Sequence, residues 1–208
     1  AASGQLTVDR DATHAVGIGT ANGTPFQLEW QRVSEKGKAG NRLTLAATLD
    51  DSARANIGYS TSAWLTGPVE TTASLFSQGL RTQSVEVIVD FAPAAVNLPL
   101  WNKAAGMDGI AQLSLSPASG GQYEFRSFAI SSGGLVASGT VKAGSDGRPQ
   151  QLDIARMVLG ETTLSGSIAM DAARGLRISV AGEQVDLRTL LDELPGTADQ
   201  DSLPSIEL

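Results

Sequence analysis

Leu43-Thr44-Leu45-Ala46-Ala47-Thr48-Leu49 alternates large apolar residues with small or polar ones, and Asp50 to Gly58 follows it as a short helical tail ending in a glycine turn. The pattern recurs as Val85 to Phe91 followed by Ala92 to Gly106, and as Leu176 to Ala181 followed by Val185 to Leu194. Successive side chains of a strand point to opposite faces. Each of these runs therefore gathers its apolar residues on one side: Leu43, Leu45, Ala47 and Leu49 in the first, Val85, Val87, Val89 and Phe91 in the second, Ile178 and Val180 in the third. A repeated strand module without a catalytic cluster points to a surface that holds something, not to a pocket that reacts with it.

Working outward, the same alternation predicts strands over Gln5–Asp9, His14–Thr20, Phe26–Val33, Leu43–Leu49, Val69–Phe76, Val85–Phe91, Gly109–Ser116, Gln122–Ile130, Gly134–Ala143, Gln150–Leu159, Thr162–Asp171 and Leu176–Ala181. Turn signals separate them, among them Ala21-Asn22-Gly23-Thr24, Ser119-Gly120-Gly121, Gly144-Ser145-Asp146-Gly147 and Ala172-Ala173-Arg174-Gly175. Loops this short join neighbouring strands antiparallel, so the fold class is mainly β, a long antiparallel sheet with a few short helices.

Two helices are predicted. Asp50 to Gly58 has an acidic start and a glycine stop, and Val185 to Leu194 carries Leu187, Leu190, Leu191 and Leu194 at helical spacing before Pro195. The segment Ala94 to Gly106 occupies the matching place in the second unit. An offset of 42 residues separates Leu43 from Val85 and also Gly67 from Gly109, within the range of modular arrays. Residues 1–194 form one β domain on this reading. Pro195 to Pro204 has the composition of a linker, and Ser205-Ile206-Glu207-Leu208 restarts a strand, as in a segment of a longer protein.

Composition narrows the function classes. The 208 residues carry 22 acidic and 15 basic side chains for a net charge of -7, which leaves no footprint for a phosphate backbone, so no nucleic-acid partner is expected. Cysteine is absent, which removes disulfides and thiolate metal sites. No run approaches the roughly 18 consecutive apolar residues of a spanning helix. His14 is the only histidine and has no nucleophile pattern around it. The acidic pairs Asp50-Asp51 and Asp192-Glu193 suit helix ends, and Asp199 and Asp201 lack the spacing of a calcium loop. Gly17-Ile18-Gly19 has no helix behind it to receive a dinucleotide, and Trp30, Trp64 and Trp101 read as core anchors. No enzyme, catalytic residue, metal or cofactor is expected.

Taken in order, Gly23-Thr24-Pro25-Phe26-Gln27-Leu28-Glu29-Trp30, Arg42-Leu43-Thr44-Leu45, Gly67-Pro68-Val69, Trp101-Asn102-Lys103-Ala104-Ala105-Gly106, Leu164-Ser165-Gly166 and the stretch from Gly175 to Leu191 resemble the YhdP and AsmA-like proteins of Gram-negative envelopes. The resemblance is to the central domain of YhdP-type chains and covers most of Gln5 to Leu194. One departure is Ala104, where the family tends to carry a proline. The resemblance implies a periplasmic protein tied to the inner membrane by an N-terminal helix outside this sequence. It also implies a curved, groove-like sheet that shields and conducts phospholipid between the inner and outer membranes and supports the outer-membrane barrier. Its partners would be acyl chains and flanking modules of the same chain. The candidate lipid-facing residues are Leu43, Leu45, Leu49, Val85, Val87, Val89, Phe91, Ile178 and Val180. The residues alone leave a second reading open, in which the same apolar face is a closed core and the chain is a structural or protein-docking module.

Overall fold

The computed structural model describes residues 2–8, 13–35, 37–98, 101–117, 123–143, 149–171 and 175–184. Fifteen strands and one helix follow in the order β1 (Ala2–Val8), β2 (His14–Ala21), β3 (Thr24–Glu35), β4 (Lys38–Leu49), α1 (Asp51–Asn56), β5 (Leu65–Thr66), β6 (Val69–Gln78), β7 (Arg81–Asp90), β8 (Ala95–Leu98), β9 (Trp101–Lys103), β10 (Gly109–Pro117), β11 (Tyr123–Ser132), β12 (Leu135–Ala143), β13 (Pro149–Leu159), β14 (Thr162–Asp171) and β15 (Gly175–Gln184). Twelve of them make one sheet, in the order β1-β2-β3-β4-β6-β7-β10-β11-β12-β13-β14-β15, with every neighbouring pair antiparallel. These are the twelve strands that alternation predicts. The sheet is open, long and groove-like, with β1 and β15 at its edges.

The local chemistry of the turns explains the meander. At the β2–β3 hairpin Asn22 and Gly23 both have positive φ, 50° and 82°, the left-handed pair that a tight primed turn requires. Gly120, Gly121, Gly144 and Gly147 fall outside the described residues and Gly175 opens β15, while Gly79, Gly134 and Gly160 serve the same purpose at the β6–β7, β11–β12 and β13–β14 hairpins.

Two connections are long, and both leave the sheet at the same end. Residues 50–68 join β4 to β6 and residues 91–108 join β7 to β10. The first contains α1, capped as its sequence predicts: the Asp50 carboxylate accepts from the Ala53 N–H at 2.7 Å and from the Ser52 hydroxyl at 2.8 Å. Those bonds hold the Asp50 carboxyl below its ordinary value, with the Ala53 N–H as the larger cause. The second connection differs from the strand-then-helix unit read in the sequence. It forms β8 and β9, two short strands that pair with each other and with β5 in a separate three-stranded sheet. The third unit's predicted helix, Val185 to Leu194, and the predicted linker lie outside the described residues.

The small sheet lies on the apolar face of the large one. Val69, Phe91, Ala94 and Val96 form its buried centre, and Leu49, Leu65, Val89, Trp101, Ala111 and Ile130 pack around them. The two connections thus build a cap over one end of β4, β6, β7, β10 and β11. A second buried cluster, Phe128, Ala137 and Val141, lies farther along the sheet with Leu113, Leu152, Ile154 and Met157 against it.

A continuous apolar face as the candidate functional site

The register joins the apolar residues into rows that cross the sheet. One row runs through directly opposed partners in all twelve strands: Leu6, Gly17, Leu28, Leu45, Ala73, Val87, Leu113, Phe128, Gly139, Ile154, Gly166 and Val180. No polar side chain interrupts it. Strands about 4.8 Å apart give such a row a length of roughly 50 Å. Alongside it Trp30, Leu43, Leu75, Val85 and Leu115 make a second row, and Leu152, Ile168 and Ile178 take it up beyond β12.

β-Bulges preserve this face where the sequence departs from strict alternation. Leu152 and Ile154 are followed by apolar residues at Met157 and Leu159, one residue out of phase. The pairing skips Ala155 against β12, which returns Met157 opposite Ala137 and Leu164. A skip at Arg126 likewise keeps Phe125 and Phe128 opposite Leu115 and Leu113.

Glycines in the main row let the strands approach closely. A Cβ on Gly139 would stand 2.0 Å from the Asp153 carbonyl oxygen and 2.7 Å from the Phe128 ring, and one on Gly166 would stand 2.2 Å from the Ser179 carbonyl oxygen. Phe128 fills the space over Gly139.

The opposite face is mixed: Gln27, Thr44, Thr72, Ser74, Glu86, Gln112 and Ser114 lie there by the same register, with Thr44 and Ser74 hydroxyls 3.3 Å apart, and so do the exposed apolar residues Val16, Ile18, Ile88, Ile110 and Val136. A shallow concavity of about 650 Å³ lies on that side near Ile18, Gln27, Ala46 and Thr72. His14 is there too, exposed, with Nε2 2.9 Å from a Glu29 carboxylate oxygen. This is a cross-strand surface pair with no nucleophile beside it.

Of the candidate residues, Leu43, Leu45, Val85, Val87 and Val89 share the apolar face, and Ile178 and Val180 hold register positions on it. Leu45 and Val180 are 38% and 44% exposed, and Leu43, Val85, Val87 and Val89 are half-buried. A closed core would bury them, whereas here the face is covered only in part. Two candidates need correcting. Phe91 is one residue past β7 and only 7% exposed, in the centre of the cap, and Leu49 packs against the same cluster, so neither lines the open face. Trp64 also departs from its reading as a core anchor, since it is 44% exposed ahead of β5. Trp30 is half-buried on the apolar face, and Trp101 packs on the cap, its indole N–H 3.4 Å from the Gly133 carbonyl.

Two buried cations hold the cap, and nothing in the alternation pattern reveals them. Arg54 donates to the carbonyls of Leu49 and Gly67 at 2.8 Å and of Leu65 at 3.2 Å, to the Thr61 hydroxyl at 2.8 Å, and to the Asp51 carboxylate. Lys103, 2% exposed, donates to the carbonyls of Phe91, Ala92, Ala94 and Ala104 at 2.8 to 3.2 Å, with its ammonium 5.4 Å from the Phe91 ring centroid. Burial draws its pKa below the ordinary lysine value, and Asp90 and Asp108 offset part of that. Each cation closes one long connection onto the end of the strand that precedes it. The length of the two connections, against the short hairpins elsewhere, was the available sign of an inserted element.

Among the described residues no three acidic or histidine side chains stand together as metal ligands, and no helix is long and apolar enough to cross a membrane. Comparison of the chain with protein-family models, with curated proteins and with solved structures finds no match.

Proposed function

We propose that this chain is a segment of a YhdP/AsmA-like periplasmic protein, tied to the inner membrane outside this sequence, that holds phospholipid acyl chains on its apolar face and passes them between the membranes. The uninterrupted twelve-strand row carries this reading. Burying hydrocarbon is worth about 0.8 kcal/mol per CH₂, and half-exposed Leu and Val side chains offer that gain to an arriving tail. The row, at roughly 50 Å, exceeds the ~15 Å depth of one leaflet's hydrocarbon several-fold. A tail can therefore move from strand to strand without leaving an apolar surface, while headgroups remain in water.

Native mass spectrometry with lipid extraction tests this, together with a photo-crosslinking residue at Leu45 and at Val87 in turn. Phospholipid recovered with the protein and crosslinked from both positions supports the reading. A lipid-free protein without crosslinks refutes it and favours the second reading, a structural or docking module. That alternative has its own observation: among the described residues nothing pairs with the outer edges of β1 and β15, and open edges accept further strands.

A further inference from the structure

The three-stranded sheet of the cap has an inner face packed on the large sheet and an outer face turned to solvent. Leu65, Val96 and Lys103 are opposed partners on the inner face, where Val96 and Lys103 are buried. One residue along each strand the side chains turn to the other side. There Trp64, Asn97 and Asn102 form a single row. Asn97 is opposed to Asn102, and its backbone N–H donates to the Trp64 carbonyl at 2.8 Å, which extends the β5–β8 ladder by one residue. All three residues are exposed. Strands about 4.8 Å apart give the row a backbone length of roughly 10 Å.

The chemistry of the row selects its occupant. Among the described residues the side-chain amides of Asn97 and Asn102 and the indole N–H of Trp64 have no hydrogen-bond partner. Each amide presents two N–H donors and a carbonyl acceptor, one strand apart from the other. The next opposed pair on this face is Thr66 and Ala95, both small and uncharged, so no bulky side chain stands beside the indole on those strands. No charge stands in the row, and the two cations of the cap, Arg54 and Lys103, are buried beneath it. An ionic group therefore meets no counter-charge here. A purely apolar ligand would cover the two amides and leave them without partners, which costs binding energy. A sugar ring suits both halves of the row: its C–H face covers an indole, and its hydroxyls donate to and accept from amides.

We propose that the outer face of the cap binds a neutral glycan chain, with one pyranose ring stacked on Trp64 and the next placing its hydroxyls at Asn97 and Asn102. The roughly 10 Å row accommodates two consecutive rings of an extended chain. An extended β-1,4-linked chain is flat, as the row is. The site lies on the far side of the cap from the apolar face, so it goes beyond the lipid reading and does not rest on it.

The test is titration of the purified protein with cellotetraose into the millimolar range, followed by the NMR signals of the tryptophan indoles and asparagine side-chain amides. An open platform encloses little of its ligand, so millimolar affinity is the expected scale. The expected result is saturable shifts at the Trp64 indole and the Asn97 and Asn102 amides, with the indoles of Trp30 and Trp101 unmoved. Trp64→Ala should weaken binding roughly tenfold or more, the scale of one lost aromatic contact. The double variant Asn97→Ala, Asn102→Ala removes side chains that make no hydrogen bond among the described residues, so it should keep the parent's melting curve and weaken binding roughly tenfold. It reads out the site independently of any effect that Trp64→Ala has on the cap. Absence of saturable shifts at these three residues, unchanged affinity in the double variant, or equal shifts with cyclohexanol, a ring with a single hydroxyl, overturns the proposal. None of these outcomes bears on lipid recovered from the apolar face.

Discussion

Replacing Lys103 by Met tests how the cap is held. Methionine keeps most of the buried stem and removes the ammonium, so apolar packing changes little and four carbonyls lose a charged donor. Three of them retain a backbone N–H: Phe91 from Ala94, Ala92 from Gly106, and Ala104 from Met107 at a longer 3.4 Å. The fourth, Ala94, lies in a fully buried residue and loses a 2.8 Å bond. Leaving one buried carbonyl short of a partner costs about 1–3 kcal/mol, and weakening three others adds about 0.5 kcal/mol each. Release from burying a charge offsets part of this, so the expected net loss is about 2–4 kcal/mol. Urea denaturation measures it, and hydrogen exchange localises it, with protection falling in residues 91–108 before the rest of the sheet. A loss below about 0.5 kcal/mol with exchange in 91–108 unchanged would show that apolar packing alone seats the cap.

Three further outcomes are expected. Gly139→Ala should destabilise by about 1–3 kcal/mol or more, because the added methyl meets the Asp153 carbonyl and the Phe128 ring, and urea midpoints will show whether the strands yield instead. Asp50→Ala should lower the melting temperature at pH 7. Because the Asp50 carboxyl is held below its ordinary 3.8, its contribution is present above that pH and disappears as pH falls through the lowered folded value, so the gap between variant and parent melts should narrow steadily as pH is lowered below 3.8. Leu45→Asp, at a 38% exposed position, should leave the melting curve close to the parent's and abolish the crosslink to lipid from Val87, as read by mass spectrometry.

What the sequence made legible follows from how a single-layer sheet is encoded. Each of the twelve main strands announces itself by period-two alternation, and short hairpins fix their neighbours, so strand positions and antiparallel order needed no tertiary information. The 42-residue offset also has a structural meaning. It carries Leu43, Leu45 and Ala47 of β4 onto Val85, Val87 and Val89 of β7, residues that occupy matching rows, Leu49 onto Phe91 just past β7, and Gly67 onto Gly109 at the entry to β6 and β10. The cap was not legible for the complementary reason. β5, β8 and β9 have two to four residues each, too few to show a period, and Arg54 and Lys103 anchor them through the carbonyl of Leu65 in β5 and those of Ala94 and Ala104, just before β8 and just after β9. An alternation argument counts a lysine or arginine as a solvated residue, and so discounts the two side chains that decide this part of the fold.

The same distinction governs what the apolar face can do. A sheet that needed its apolar side only for folding would bury it under a second layer, and then a bulge at Ala155 would serve packing alone. Here the layer on top is confined to one end, yet the bulges at Arg126 and Ala155 keep Phe128, Met157 and Leu159 in phase with a face whose middle is half-exposed. Keeping water-exposed apolar residues in register over twelve strands gives no folding advantage that a polar substitution at Leu45 or Val180 would forfeit. Under the proposed function, the pattern prepares this face for an apolar ligand that arrives after folding.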